Sequence, residues 1–356
     1  MTQLLEGLRV LDLSLWQPGH TATQLLADLG ADVLKVEPPG GDRMRVLPDR
    51  FVNFNGHKRS LVLDLKTDAD RARLLQLAVE AEAVVEGFRP GVADRLGAGY
   101  AQLSAVNPAL VYCSISGFGQ TGPLAHATGH DQNYQAYAGA LVTPAAGGPP
   151  VASGALIGDQ GSGMAAAFAI LAAVLCARRT GQGEHIDVSI ADLLMSWSAP
   201  MGSVAETPDA HTPRPPSAGT GTYATADGGH VVLGIFSEDH FWDALCRKLG
   251  LDQLAGLGMA ERAAGAVELR AALQAQFSTW NRDDLVAQMD AIGVPIAPVL
   301  TRAEALDHPH FLDRGVITRG PHGDRRVAHP IRYARHPARE PGLPPALGEG
   351  GAPWKA

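Results

Sequence analysis

A histidine and an aspartate stand in two glycine-flanked segments of this chain, GHDQNY (129–134) and GDQG (158–161). Glycine lets a backbone turn sharply and lets a ligand approach it closely, so both side chains could point into one cleft. An imidazole and a carboxylate placed in this way can take a proton from a carbon next to a carbonyl group and return it. Structural ion pairs of the same composition are common. The pair His130 and Asp159 therefore predicts a proton-transfer site only if the rest of the sequence agrees with it.

Strand and helix patterns alternate through the first part of the chain. Short runs rich in leucine and β-branched residues predict buried strands, and the segments between them carry apolar residues at helical spacing. The predicted strands are 9–13, 32–37, 61–65, 83–86 and 110–114, and the predicted helices are 21–29, 69–81 and 101–106. This alternation predicts an α/β fold with a large, doubly wound, Rossmann-like parallel sheet. The first turn, LWQPGHTA, lacks the G-x-G-x-x-G pattern of nicotinamide and flavin sites.

A stretch rich in proline, glycine and threonine, residues 205–221, is the clearest boundary in the chain. Beyond it, an Asp-Gly-Gly turn at 227–229 predicts a hairpin. Helical patterns follow at 238–249, 269–277 and 282–291, and residues 294–299 are predicted to form a strand. We therefore expect a linker at 201–221 and a smaller α+β domain at 222–300.

The composition excludes several classes of protein. The 356 residues are 46% hydrophobic and 19% charged, as in a soluble globular protein, and they suffice for two domains. A formal net charge of −8 argues against a nucleic-acid partner, although a local basic pocket for a phosphorylated ligand is compatible with it. Cys113, Cys176 and Cys246 are too scattered for a disulfide framework or a zinc site, so we expect buried thiols and no metal.

The N-terminal segment, MTQLLEGLRV, lacks the basic start, the long apolar core and the cleavage site of a signal peptide. The longest apolar run, residues 164–177, is shorter than the roughly 20 residues of a membrane-spanning helix. We therefore expect a buried helix at this run, no membrane partner, and a cytoplasmic protein.

Ordered motifs from about residue 5 to about residue 335 resemble the CaiB/BaiF family, also called the family III CoA-transferases. These motifs include LLADLGADVLKVEPPGGD (25–42), VVEGFRPGVADRLG (84–97), SGFGQTGP (116–123), GDQGSGM (158–164) and TGQGEHIDVSI (180–190). Within this family, the histidine of GHDxNY resembles the α-methylacyl-CoA racemase branch. The resemblance implies a large CoA-binding domain at 1–200 that is completed by about 301–356, and an interlocked homodimer. It also implies an acyl-CoA substrate and no cofactor beyond the CoA moiety of that substrate.

The resemblance to the racemase branch predicts inversion of the α-carbon of a 2-methyl-branched acyl-CoA. Racemisation through an enolate needs a proton carrier on each face of the planar carbon. His130 and Asp159 would take these roles, and Glu238 in GIFSEDHFW would support His130 through a hydrogen bond. Glu238 fits equally well in the first turn of its own helix, where acidic residues are favoured. Asp131 either orients His130 or accepts backbone hydrogen bonds.

Asp159 also matches the aspartate that forms acyl-anhydride intermediates in the transferases of the family, so CoA transfer between carboxylic acids is the alternative function. Asp159 precedes an apolar helix, where burial raises the pKa of a carboxyl group and the helix dipole lowers it. A dominant burial effect favours an acid, and a dominant dipole favours a permanently ionised nucleophile. A third hypothesis, a non-catalytic binder of CoA esters, is disfavoured because both His130 and Asp159 are present.

Several segments resemble the CoA-contacting segments of the family. They supply arginine forks, which match phosphate geometry, and a wall of small and apolar residues. The residues are Leu63, Asp64, Leu65, Lys66, Gly87, Phe88, Arg89, Arg95, Gly129, Asp131, Asn133 and Tyr134.

The chain departs from the racemase pattern at two places. Where the racemases of the family carry an arginine after the second strand, this chain has Pro38, and Arg43 or Arg45 could replace that arginine. The segment 236–239 is one residue longer than the racemase form. The first departure favours the transferase branch.

Overall fold

The structure is a computed structural model that describes residues 2–142, 144, 148–198, 217–320, 323–350 and 354. It divides into two compact units. The first unit contains Met1–Val142, Ala152–Glu206 and Pro309–Ala356, and the second contains Thr143–Val151 and Thr207–His308. The predicted linker at 201–221 lies, up to residue 216, outside the described residues. The predicted domain limits stay predictions.

A six-stranded parallel sheet forms the centre of the first unit. Its strands are β1 (Arg9–Asp12), β2 (Asp32–Glu37), β3 (Arg59–Val62), β4 (Ala83–Glu86), β5 (Val111–Ser116) and β6 (Glu184–Ser189). The strand order is β3-β2-β1-β4-β5-β6, and all five pairings are parallel. The order reverses direction between β1 and β4, which is the arrangement of a doubly wound sheet. The predicted α/β fold is confirmed.

Helices cover both faces of this sheet. They are α1 (Gln17–Asp28), α2 (Pro48–Phe54), α3 (Asp68–Glu80), α4 (Val92–Arg95), α5 (Tyr100–Val106), α6 (Asp131–Tyr137), α7 (Ile157–Thr180) and α8 (Ile190–Ser198). Successive residues of a strand point to opposite faces. Accordingly, Val10 packs in one apolar core with residues of α1 and α7, and Leu11 packs in the other with residues of α3 and α5.

Helix α7 differs from the fully buried helix that the sequence predicts. It is 24 residues long, and Ile170 and Val174 lie in the core. Phe168 and Leu175, however, are exposed. Within the described part of the chain, α7 is the one helix with the length and composition to cross a membrane, a property that core helices of soluble proteins share. One face of α7 packs as a core helix, and the opposite face carries apolar side chains at the surface.

The second unit is the smaller α+β part. Its antiparallel sheet has the order β7-β8-β9, with β7 (Thr220–Ala224), β8 (His230–Gly234) and β9 (Ile296–Pro298). The helices are α9 (Asp239–Lys248), α10 (Met259–Ala264), α11 (Ala266–Phe277), α12 (Arg282–Asp290) and α13 (Arg302–Leu306). Trp242, Phe277 and Leu285 are fully buried in its own apolar core. The β7–β8 pair is the hairpin that the Asp-Gly-Gly turn predicts.

The C-terminal segment returns to the first unit. It forms α14 (Pro309–Asp313) and a hairpin of β10 (Ile317–Arg319) and β11 (Arg325–Val327), and then runs along β3. There the Ser60 amide donates to the Glu349 carbonyl at 2.7 Å. These contacts tie the end of the described chain to the edge of the parallel sheet.

Candidate active site

Contacts among its own residues hold the GHDQNY segment, which spans the end of the loop after β5 and the start of α6. The amide of His130 donates to Asn133 Oδ1 at 3.0 Å, and the Tyr134 hydroxyl donates to the Gly129 carbonyl at 2.5 Å. A Cβ atom at Gly129 would lie 2.8 Å from the Tyr134 ring, so the glycine is required by the close approach of that ring. The motif therefore fixes its own backbone through contacts between its members.

Asp131 connects the start of α6 to the start of α7. Its side chain is buried, and Oδ1 accepts a hydrogen bond from the Asp159 amide at 2.9 Å. Oδ2 accepts a hydrogen bond from the Gln135 side chain. A Cβ atom at Gly158 would lie 2.9 Å from Asp131 Oδ1, so only glycine leaves room for this contact. Of the two roles predicted for Asp131, the structure shows the acceptor of a backbone hydrogen bond.

This contact brings His130 and Asp159 into one region of the first unit. His130 immediately precedes Asp131 at the start of α6, and its side chain is exposed. The imidazole lies edge-on to the indole of Trp16, with ring centroids 6.1 Å apart and an interplanar angle of 73°. Trp16 is 46% exposed and precedes α1 at the carboxyl end of β1. The region is therefore open to a ligand from outside.

Asp159 lies in the first turn of α7, and its side chain is partly buried. Burial, reinforced by the negative charge of Asp131, raises the pKa of Asp159 to about 7. Of the two effects predicted from the sequence, the direction of this shift is that of burial. The free protein therefore holds Asp159 close to the point where its protonated and ionised forms are equally populated at neutral pH.

Arg89 belongs to the same electrostatic environment. The pKa of Tyr134 is raised by burial and by the Asp159 carboxylate, and the Arg89 guanidinium opposes that rise. Arg89 lies in the turn after β4, where the Glu86 carboxyl group accepts a hydrogen bond from the Phe88 amide at 2.7 Å. Burial raises the pKa of Glu86 to about 7. Arg89 is exposed, and its charge acts on the same tyrosine as the charge of Asp159.

Two further segments that the sequence predicts to contact CoA lie after β3 and at the end of α4. Leu63, Asp64, Leu65 and Lys66 form the turn after β3, where the Lys66 amide donates to Asp64 Oδ1 at 3.1 Å. Strand β3 lies three positions from β4, a separation of roughly 14 Å at ordinary strand spacing. Arg95 is exposed at the end of α4. Leu63 is buried and packs in the apolar core, whereas Lys66 and Arg95 are exposed and available to a ligand.

Glu238 belongs to the second unit and lies at the residue before α9, not within the first turn of that helix. Its carboxylate accepts hydrogen bonds from the amides of Phe236 and Ser237 at 2.9 and 3.0 Å, just before α9. Backbone hydrogen bonds of its own turn lower the pKa of Glu238. The predicted hydrogen bond to His130 would join residues of the two units and stays a prediction.

Arg43 and Arg45, the two candidates to replace the arginine absent at Pro38, have different surroundings in the structure. Arg45 contacts both carboxylate oxygens of Glu37 at 2.6 Å, and its guanidinium lies 4.3 Å from the centroid of the Phe51 ring. Arg43 is exposed at the start of the same short turn. Arg45 is therefore committed to the protein interior, and Arg43 is the accessible guanidinium of the two.

A buried charged cluster beneath the turn after β1 was missed by the sequence reasoning. Lys35 Nζ lies 2.7 Å from Asp42 Oδ2, and Lys58 Nζ lies 3.0 Å from Asp12 Oδ2, all with fully buried side chains. His20 Nε2 lies 2.8 Å from Asp42 Oδ2, and burial together with Lys35 lowers the pKa of His20 to about 4. A lysine in the middle of an otherwise apolar strand was the signal that could have revealed this cluster.

Comparison with known proteins settles the family. The family model described as CoA-transferase family III matches residues 5–350. The chain belongs to CoA-transferase family III. The resemblance to CaiB/BaiF proteins inferred from the motifs is thus confirmed, and the match does not specify the racemase branch.

Named relatives of this family III protein are enzymes of CoA transfer. An acetyl-CoA:oxalate CoA-transferase of Acetobacter aceti is 35% identical, with 98% of this chain and 94% of the relative covered. A succinyl-CoA:mesaconate CoA-transferase of Haloarcula hispanica is 36% identical, with 88% and 85% covered. The crystal structure of a CaiB/BaiF family protein from Brucella suis has a TM-score of 0.86 and 32% identity, with 99% and 98% covered. Family membership and these relatives indicate an enzyme of acyl-CoA chemistry.

Proposed function

We propose that this family III protein transfers CoA from an acyl-CoA to a free dicarboxylic acid, with the carboxylate of Asp159 as the nucleophile. The observation that carries the proposal is the hydrogen bond from the Asp159 amide to Asp131, which holds the carboxyl group in the first turn of α7 beside an exposed region. The names of both curated relatives support the substrate class, because oxalate and mesaconate are dicarboxylates.

The exchange begins with attack by the Asp159 carboxylate on the thioester carbonyl carbon. A C–O bond forms, the C–S bond breaks, and CoA leaves as a thiolate. The thiolate then attacks the Asp159 carbonyl carbon of the mixed anhydride. This second step releases the first acid as a carboxylate and leaves CoA on Asp159 as a thioester.

A second carboxylate completes the cycle by the same two steps in reverse. It attacks the aspartyl thioester, expels the CoA thiolate and forms a new anhydride. The thiolate attacks the acyl carbonyl of this anhydride, which yields the new acyl-CoA and restores the Asp159 carboxylate. Each step passes an electron pair from one nucleophile to one leaving group. The cycle therefore needs no oxidant or reductant and involves no net proton transfer.

CoA itself would lie along the carboxyl edge of the parallel sheet. We assign phosphate contacts to Arg89, Arg95 and Lys66, since guanidinium and ammonium groups suit phosphate oxygens. Gly87 and Phe88 would line the path to Asp159. Following the resemblance, we also propose that the protein is an interlocked homodimer.

The test of the transferase is trapping of the acyl group on Asp159. With an acyl-CoA donor and no acceptor acid, hydroxylamine should convert the activated Asp159 carbonyl to a hydroxamate that peptide mass spectrometry locates. With both substrates, initial rates should show ping-pong kinetics. Asp159→Asn should abolish the adduct, and Asp192→Asn, in the exposed first turn of the neighbouring α8, should retain it. Transfer without any adduct on Asp159 would contradict the assignment.

The α-methylacyl-CoA racemase is the second candidate, and one observation favours it. His130 and Asp159 lie in one region, and the pKa of Asp159 near 7 suits a carboxyl group that both gives and takes a proton. The measurement is proton NMR of a 2-methylacyl-CoA in D2O without an acceptor acid. Collapse of the methyl doublet in the wild type, abolished in His130→Ala, would establish the racemase, and an unchanged spectrum would exclude it for that acyl group.

A further inference from the structure

The proposed transfer of CoA between carboxylates involves no net proton transfer, so it assigns no role to His130. Its ring is nevertheless exposed in the same region as the proposed nucleophile, on a backbone that the GHDQNY motif holds in place. We propose that His130 is the specificity-determining residue that binds the distal carboxylate of a dicarboxylic acid, while the proximal carboxylate reacts at Asp159. This inference rests on the proposed CoA transfer and names the group that selects its acid.

Hydrogen bonds fix the backbone that carries the imidazole. The His130 amide is held by Asn133 Oδ1, and the Asn133 amide donates in turn to the His130 carbonyl at 2.8 Å. The Tyr134 hydroxyl holds the preceding Gly129 carbonyl. On one side of the ring stands the edge-on indole of Trp16. A side chain on a backbone held in this way is presented to a ligand from a defined position, which favours selectivity.

The negative charge of the region explains why a group that binds the distal carboxylate is needed. The Asp159 and Asp131 carboxyl groups both belong to this region, so an approaching dianion meets negative charge. Like charges in a partly buried site repel strongly because the local dielectric is low. Arg89, whose charge acts on Tyr134, and His130, which precedes Asp131, are two cationic or donating side chains of this region. Arg89 is assigned to CoA, so we assign the acid to His130.

An imidazole suits this task in either protonation state. The neutral ring has one N–H donor and the protonated ring has two, so both forms can donate to a carboxylate. Glutamine at this position keeps one N–H donor, and alanine keeps none. The two substitutions therefore separate the hydrogen bond from the mere presence of a side chain.

The experiment compares succinate with butyrate as acceptors from acetyl-CoA, because the two acids have the same carbon chain and differ in one carboxylate. In His130→Ala, the ratio of kcat/KM for succinate to that for butyrate should fall roughly 10- to 100-fold, the range for loss of a hydrogen bond to a charged group. The loss should lie in KM for succinate. His130→Gln should recover part of the ratio. His126→Ala, an exposed histidine of the same loop, is the matched control and should leave the ratio unchanged.

Two results would overturn the inference. The first is an unchanged ratio in His130→Ala, whether both acids keep their rates or lose them equally. The second is a wild-type enzyme that transfers CoA to butyrate as well as to succinate. A wild type that forms no hydroxylamine adduct and transfers CoA to neither acid would instead refute the proposed function, and this inference with it.

Discussion

The Asp159 carboxyl group has to be ionised to attack a thioester, yet its surroundings raise its pKa to about 7. Below that pH most of the free enzyme carries the inactive, protonated form. We expect kcat/KM for the acyl-CoA to rise about tenfold per pH unit below 7 and to level off above about pH 8. The measurement is the rate of CoA transfer at limiting acyl-CoA between pH 5 and 9. A rate independent of pH across this range would contradict the role of Asp159 as nucleophile.

The raised pKa of Asp159 also lowers the stability of the folded protein at neutral pH. Between its ordinary value of 3.8 and about 7, the folded protein holds a proton that the unfolded chain has released, so stability falls as pH rises through this window. Asp159→Asn removes that loss. Relative to the wild type, we expect the variant to gain about 1–3 kcal/mol between pH 5 and pH 8, less than the full shift would give because the group is partly exposed. Urea denaturation at both pH values measures the gain, with Asp192→Asn as the control that should show none.

At the scale of elements, the contact between Asp131 and the start of α7 decides where the nucleophile stands. Asp131→Ala leaves the Asp159 amide without its partner, so we expect a loss of about 1–3 kcal/mol in stability together with most of the activity. Asp131→Asn keeps an acceptor for the amide, and Gln135 can turn its own amide to match. Because the asparagine carries no charge, the pKa of Asp159 should fall, and the pH–rate profile should move to lower pH. Thermal unfolding and the profile together test both variants, and a profile that does not move in Asp131→Asn would refute the electrostatic part of the argument.

The sequence predicts elements best where burial is complete. Strand β4 has the predicted bounds because both of its faces are covered, and its residues are apolar apart from the terminal Glu86. Strand β6 was missed, since it lies at the edge of the sheet and its Glu184, His185 and Asp187 are exposed. Helix α1 begins four residues earlier than predicted, with Pro18 in the first turn, where the missing amide hydrogen costs nothing. The local sequence pattern thus identifies elements that are buried on both sides. Elements at the edge of the sheet are recognised only from their position in the fold.

The sequence predicted the residues of the site but not the contacts between them, because those contacts join residues that are distant in the chain. Motif resemblance indicated His130 and Asp159, whose surrounding glycines leave room for close contacts. The hydrogen bond between Asp131 and the Asp159 amide joins residues far apart in the chain, and no local pattern reveals it. The commitment of Arg45 to Glu37 is likewise a tertiary contact that spacing alone does not distinguish from an exposed arginine. The choice between transferase and racemase depends on such contacts and on the relatives, since both readings use the same aspartate.

At the scale of the whole molecule, the exposed apolar face of α7 bears on the proposed homodimer. Phe168 is 76% exposed and Leu175 is 64% exposed on a helix whose other face is buried, and clustered apolar exposure of this kind marks an interaction surface. If a second copy covers this face, Phe168→Glu places a charge in the interface, and the assembly should dissociate to the 37.3 kDa chain. Sedimentation velocity measures the mass, and Arg179→Glu, exposed at the end of the same helix, controls for added negative charge. A wild type that sediments as a monomer, or a Phe168→Glu variant of unchanged mass, would show that this face does not hold a dimer together.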